Sequence, residues 1–278
     1  MKVEDFEFLA TLLRSRSGLV LTVDKAYLLE SRLMPVARNN GHKDLDELVQ
    51  ALRSQRSEGL LRDITEAMTT NESLFFRDMK PFDQLQELIL PGLLKKRADK
   101  RQIRIWCAAC SSGQEPYSIA MILKEAAAKL AGWRTEVIAT DISAEMVAKA
   151  KAGVYTQFEV QRGLPVKLLV KYFAQNGDKW TIDPSIRSMV QFREFNLLDE
   201  PAALGTFDIV FCRNVLIYFD QDLKRQVLEK ISKMMPSDGV LYLGGAETVL
   251  GVTDRFKPVS GQRGMYAQAD GAPPLLGA

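Results

Sequence analysis

In residues 103–120, IRIWCAACSSGQEPYSIA, a short apolar strand runs into a turn of small residues and then into a helical pattern. A second strand, VIATDIS at residues 137–143, reaches Asp141 twenty-eight positions after Gly113. This stretch constrains the fold more than any other part of the chain. Strand, tight turn, helix and strand make one crossover of a parallel sheet. The turn brings backbone close to a ligand, and an acid on the next strand takes ribose hydroxyls. The turn is not G-x-G-x-x-G, because it holds one glycine among Ala108, Ala109, Cys110, Ser111 and Ser112. A dinucleotide's pyrophosphate asks for glycine-lined contact. S-adenosylmethionine (SAM) has no pyrophosphate and suits this turn better.

From Arg101 onward the short strands IRIW, EVIAT, FDIVFC and GVLYLGG alternate with helical segments. Such alternation predicts a mostly parallel sheet covered by helices on both faces. Residues 256–267, with Gly261 and Gly264 inside, read as a closing antiparallel hairpin. The expected fold is therefore α/β, a Rossmann-like class I SAM-dependent methyltransferase. Within residues 158–196 the alternation breaks. A helix over 164–173 is followed by the Asn176-Gly177 turn and two strands, Lys179–Ile182 and Met189–Phe192. We read these as an inserted antiparallel unit, with a long surface hairpin as the alternative.

The first seventy residues are helical in pattern. Val3, Phe6, Phe8, Leu9, Leu12 and Leu13 supply an amphipathic face, broken at Ser17-Gly18. Asp24 is placed to cap a second helix, Asp44 a third, and Leu60, Leu61, Ile64 and Met68 define a fourth. The expected organisation is a small all-α domain over 1–70 and a linker over 71–80 that contributes to the cofactor site. A methyltransferase domain follows over 81–267, with an inserted β-subdomain at about 174–195, and a flexible tail covers 268–278.

Composition narrows the chemistry. The formal charge of +2 on 278 residues does not suit a nucleic-acid-binding chain, although Lys95, Lys96, Arg97, Lys100, Arg101 and Arg104 form a local cluster. No apolar run is long enough to span a bilayer, and the N-terminus is acidic and amphipathic. A cytoplasmic protein without membrane insertion is expected. Cys107, Cys110 and Cys212 are too few for a disulfide framework, and zinc is not expected, since His42 is the single histidine. That also removes histidine-based acid–base and triad mechanisms.

Several side chains are placed to carry chemistry. Glu115 closes an S-x-x-E capping box with Ser112, the reading its spacing favours, or else faces a ligand's amino group. Asp141 either accepts ribose hydroxyls or turns the chain ahead of Ser143. Asn196 reads an adenine edge or is an ordinary turn asparagine. Arg213 and Asn214 end the apolar strand FDIVFC, and a helical turn would bring Tyr218 to the side of Asn214. A core tyrosine is the alternative for Tyr218. Asn71, Ser73 and Arg77 are surplus polarity in a linker that two phenylalanines already anchor.

Taken together, TNESLFFRD, CAACSSGQEPYSIA, ATDIS, FNLLD and FCRNVLIYFD resemble the chemotaxis receptor methyltransferases, the CheR family. The resemblance implies SAM-dependent O-methylation of glutamate side chains in the cytoplasmic helical bundle of chemoreceptors, with S-adenosylhomocysteine (SAH) as product. It further implies that Asn71, Ser73 and Arg77 close over the cofactor and that Glu115 meets its amino group. Asp141 would bind the ribose, Asn196 and Leu197 the adenine, and Arg213 and Asn214 would fall in the same site. Arg77 and Tyr218 would lie nearest the transferring methyl as the catalytic pair.

Two departures from the family bear on partners. The segment from Asn176 to Met189 looks short beside that of members that bind a receptor pentapeptide tether, so a tether-independent enzyme is expected; a monomer is expected as well. The receptor-docking N-terminal domain offers Lys25, Arg32 and Arg38 but also Asp24 and Glu30. Other readings compatible with the same residues are a methyltransferase of another protein or small molecule, and a SAM- or SAH-binding regulatory module.

Overall fold

The computed structural model describes residues 2–55 and 57–271. It divides into two compact units: residues 1–70 with Tyr218–Leu223, and Asn71–Ile217 with the chain from Lys224 onward.

The first unit contains α1 (Val3–Ser17), α2 (Ala26–Asn39), α3 (Leu45–Ser54) and α4 (Glu58–Met68). Leucines at helical spacing meet in its centre, among them Leu9, Leu13, Leu29, Leu33, Leu48 and Leu52, joined by Ile64. Asp44 caps α3 through Glu47 N, and Ser57 caps α4 through Leu60 N. Asp24 does not cap α2. It lies in a 3-10 turn, Val23–Lys25, and the helix starts at Ala26 without a side-chain cap. Gly18 ends α1 at φ +77°, and a Cβ there would lie 2.7 Å from the Phe219 ring. Arg14 pairs with Asp220 at 2.6 Å, and Val20 N donates to Tyr218 O at 3.0 Å. Residues distant in sequence thereby become part of the helical unit.

The second unit is built on a seven-stranded sheet of order β6-β2-β1-β7-β8-β10-β9. Its strands are β1 (Gln102–Cys107), β2 (Arg134–Asp141), β6 (Val190–Glu194), β7 (Ile209–Cys212), β8 (Val240–Leu243), β9 (Phe256–Pro258) and β10 (Met265–Gln268). The first five pair in parallel, and the hairpin of β9 and β10 closes the sheet antiparallel. Fully buried runs such as Ile209–Cys212 and Val240–Leu243 are what a sheet covered on both faces demands. Helices α5 (Lys80–Gln84), α6 (Leu90–Lys96), α7 (Gln114–Glu125), α8 (Ala144–Ala152) and α12 (Gln221–Lys233) accompany it. The class I methyltransferase sheet expected from the alternation is present.

A separate three-stranded sheet of order β3-β5-β4 joins β3 (Val154–Thr156), β4 (Phe173–Asn176) and β5 (Lys179–Ile182), with α9 (Gln157–Gln161), α10 (Val166–Tyr172) and α11 (Pro184–Arg187) around it. It holds two strands, β3 and β4, beyond those read from the sequence, and lacks one that was expected. The Met189–Phe192 run is not part of it, because Val190–Glu194 pairs in parallel with β2 and forms an edge of the main sheet. Val190 and Phe192 are buried and Gln191 exposed. That alternation suits either sheet, and only the long-range partner distinguishes them.

Two members of the basic cluster, Arg97 and Arg104, pair with acids within the fold. Arg97 binds Asp208 at 2.8 Å and Asp238 at 2.6 Å, and Arg104 binds Glu136 at 2.7 Å. Burial would raise the Asp238 carboxyl, but the Arg97 guanidinium overrides it and holds the group below the usual carboxylate range. Of the expected tail, Gln268 lies in β10 and donates from Nε2 to Ser232 O at 2.7 Å. Residues 272–278 lie outside the described residues.

Candidate active site

The carboxyl ends of β1, β2 and β7 carry Glu115, Asp141, Arg213 and Asn214 of the second unit. β1 runs into the turn from Ala108 to Gly113. Ser111 at φ +47° and Gly113 at φ +94° bend this turn sharply. Glycine at 113 meets the positive φ and also the packing: a Cβ would lie 3.0 Å from Ala150 Cβ and 3.2 Å from Tyr155 Oη. Ser111 Oγ donates to Asn71 O at 2.8 Å, which ties the start of the linker to the turn.

Glu115 does not close a capping box. Gly113 is the N-cap residue of α7, without a side-chain cap, and Ser112 Oγ bonds Gln114 Oε1 at 2.9 Å instead. The reciprocal box of this unit is Thr156 with Glu159, at the start of α9. Glu115 is buried at the first turn of α7 and accepts from Arg213 Nη1 at 2.8 Å. Burial pushes its carboxyl up from the ordinary value, and Arg213 offsets that only in part.

Asp141 ends β2, buried, with both carboxylate oxygens engaged. Oδ2 accepts from Ser111 N at 2.7 Å and Oδ1 from Ser143 N at 3.0 Å. Its turn role is therefore real, and the same bonds fix the direction of its charge. After β6, Asn196 accepts from Leu198 N at 3.0 Å in an Asx turn, and Leu197 is buried.

Arg213 is the most buried cation of the site. Besides Glu115, its Nη2 donates to Asp78 Oδ2 at 2.6 Å and to Arg77 O at 3.0 Å. Its Nε is buried without a protein partner. These bonds hold a segment in which Phe76, Asp78 and Met79 all have φ between +46° and +68°, a strained backbone for non-glycine residues. Ser118 Oγ accepts from Phe76 N at 3.0 Å from the other side. Arg77 itself is half-buried and reaches Glu72 O at 3.3 Å, while Ser73 is half-buried nearby in sequence.

The expected helical turn from Asn214 to Tyr218 is absent. Asn214 adopts φ +58°, and the helical residues after it are a 3-10 turn, Leu216–Tyr218. Tyr218 belongs with the first unit. Glu247, which no motif singled out, receives backbone N–H groups from Asn214, Val215, Ile217 and Gly244. An acid two residues after the Gly244-Gly245 pair that follows β8 was the available signal.

The donor set suits SAM. A buried carboxyl already raised by burial gains from a ligand ammonium beside it, and a second acid stands at a strand end where sheet ligands bind. Among the described residues no group of three or more His, Cys, Asp or Glu could hold a metal ion. None of their helices is long and apolar enough to cross a membrane.

Comparison with known proteins decides the family. Residues 71–265 match the CheR methyltransferase SAM binding domain, and residues 4–69 match the CheR methyltransferase all-alpha domain. The chain belongs to the CheR methyltransferase family. It is 42% identical to the chemotaxis protein methyltransferase Cher2 of Pseudomonas putida over 95% of this chain and 98% of that protein. It is 43% identical to chemotaxis protein methyltransferase 1 of Pseudomonas aeruginosa, over 95% and 97% of the two chains. A chemotaxis protein methyltransferase of Vibrio anguillarum is 40% identical over 92% and 93%. This CheR-family chain is a methyltransferase, and SAM is its cofactor.

Proposed function

We propose that this CheR-family enzyme methylates glutamate side-chain carboxylates in the cytoplasmic helical bundle of chemoreceptors, in the cytoplasm, giving methyl esters for chemotaxis adaptation. The observation that carries the reading is likeness to chemotaxis protein methyltransferases over nearly the whole chain, helical unit included.

In this reading Glu115 takes the cofactor's amino group and Asp141 the ribose. Asn196 and Leu197 take the adenine, Arg213 and Asn214 fall in the same site, and Asn71, Ser73 and Arg77 close over it. SAM supplies an electrophilic methyl on a sulfonium. A glutamate carboxylate is already ionised at neutral pH, so the acceptor needs no general base, in keeping with a single histidine. The residues' work is alignment and exclusion of water, because an anionic nucleophile and a cationic leaving group lose charge as they meet. Arg77 or Tyr218 orients the acceptor carboxylate; too tight an ion pair at Arg77 would stabilise the ground state instead.

The reading is tested by transfer of labelled methyl from SAM to purified receptor cytoplasmic fragments, scored as base-labile methanol. Base-labile counts on receptor glutamates are the expected result. A panel of receptors that all stay unlabelled, with SAM binding confirmed in the same tube, would overturn it. Of Arg77→Ala and Tyr218→Phe, at least one should slow transfer at saturating SAM, and unchanged rates in both would remove both from catalysis. The enzyme acts as a monomer. It also works without a receptor tether, a reading supported by the short β4–β5 hairpin. Micromolar binding of a receptor C-terminal pentapeptide would contradict tether independence.

A further inference from the structure

We infer that Glu247 is a positioning residue for the cofactor site, holding the loop that leaves β7 so that Arg213 meets Glu115 and the 77–78 turn. Its carboxylate gathers four backbone N–H groups. Oε2 accepts from Asn214 N at 2.8 Å and Gly244 N at 2.6 Å, while Oε1 accepts from Val215 N at 2.9 Å and Ile217 N at 3.3 Å. These donors come from the ends of two neighbouring parallel strands, where the ladder has stopped and the amides need other acceptors.

The geometry explains why an acid is required. Asn214, directly after Arg213, sits at φ +58°, a conformation asparagine visits more readily than most residues. The chain therefore turns sharply at the point from which the Arg213 side chain departs. An ionised carboxylate offers two acceptor oxygens to this cluster, whereas glutamine would turn an NH2 group toward two of the donors. Position 244 is shaped around the same group. A Cβ on Gly244 would lie 2.7 Å from Glu247 Oε2 and 2.8 Å from Asn214 Nδ2. Glu247 N donates to Gly244 O at 2.9 Å and Tyr266 Oη to Glu247 O at 3.3 Å, so the glutamate's own backbone is held. From Glu247 a continuous set of contacts runs through the 213–217 loop to Arg213, and from there to Glu115 and Asp78.

The inference rests on the reading that Glu115 takes the cofactor's amino group. The test uses the full chain, SAH as probe, titration calorimetry, and thermal unfolding as a control for folding. Glu247→Gln is expected to stay folded and to bind SAH about tenfold more weakly. In a Glu115→Gln background the same change is expected to cost little more, because both act through one network. Affinity within twofold of the parent, or a full additional loss in the Glu115→Gln background, would overturn the proposal. If Glu247→Gln is unfolded at the working temperature, Gly244→Ala displaces the carboxylate without removing it and should give the same loss; unchanged affinity there overturns the proposal. Unchanged SAH affinity in Glu115→Gln alone would remove the amino-group assignment and this route with it. A loss in Glu115→Gln with none in Glu247→Gln counts against Glu247 only.

Discussion

The buried guanidinium of Arg213 lies 2.8 Å from Glu115 Oε2 and so joins the exit of β7 to the first turn of α7. The Arg213 side chain is 2% exposed and that of Glu115 11%, so each charge depends on the other for its place. Removing one partner strands the other in low dielectric. Arg213→Met should destabilise the second unit by about 3–5 kcal/mol, read from urea unfolding. Replacing both residues by methionine should recover much of that loss. A single variant as stable as the parent would show that water already screens the pair.

Cofactor binding should depend on pH through Glu115. Burial raises its carboxyl above the ordinary value of 4.5, and Arg213 pulls it back only partly. As pH rises toward that raised value, Glu115 ionises and a ligand ammonium gains its counter-charge. SAH affinity should therefore increase with pH there, with proton release measurable by calorimetry in buffers of different ionisation enthalpy. Stability runs the other way. The folded state holds the proton more tightly than the unfolded chain, so this contribution is fullest below 4.5 and is lost as pH climbs. Glu115→Gln should abolish both dependences.

Gly163 guards the segment that carries Arg77. It sits at φ +83°, and a Cβ there would lie 2.1 Å from Phe75 O. Gly163→Ala should cost about 2 kcal/mol or more, since strain and overlap add. Thermal unfolding of the second unit is the measurement, and an unchanged midpoint would mean the backbone yields without cost.

Behind the cofactor turn, Trp106 Nε1 donates to Thr140 Oγ1 at 2.9 Å, both residues buried in adjacent strands. Thr140→Val keeps the shape and removes the acceptor. The orphaned indole N–H should cost about 1–3 kcal/mol, seen as a lower urea midpoint at unchanged slope.

Much of this arrangement was legible in the chain. The strand, small-residue turn and helix over 103–120 are local patterns, set by apolar periodicity and by residues that tolerate a tight bend. The four N-terminal helices and the closing hairpin follow for the same reason. Met189–Phe192 was legible as a strand but not as a strand of the main sheet, since its alternation does not say which neighbour it will pair with. Ser112 and Glu115 have capping-box spacing, yet Arg213, ninety-eight residues away, takes the glutamate. A charged partner in a buried site outweighs one exposed-type cap bond. Glu247 carries no motif at all, because what it binds is backbone from two strand ends.

By itself, then, the order of residues determined most of the elements, the parallel sheet and the family, all of which depend on short-range periodicity and on strings of neighbours. Only the tertiary structure decided the partners of Glu115, Arg213 and Glu247, the sheet to which β6 belongs, and the unit in which Tyr218 is packed. Those outcomes are competitions among groups far apart in sequence. They are settled by burial, because a charge or an amide removed from water must take whichever partner the fold brings to it.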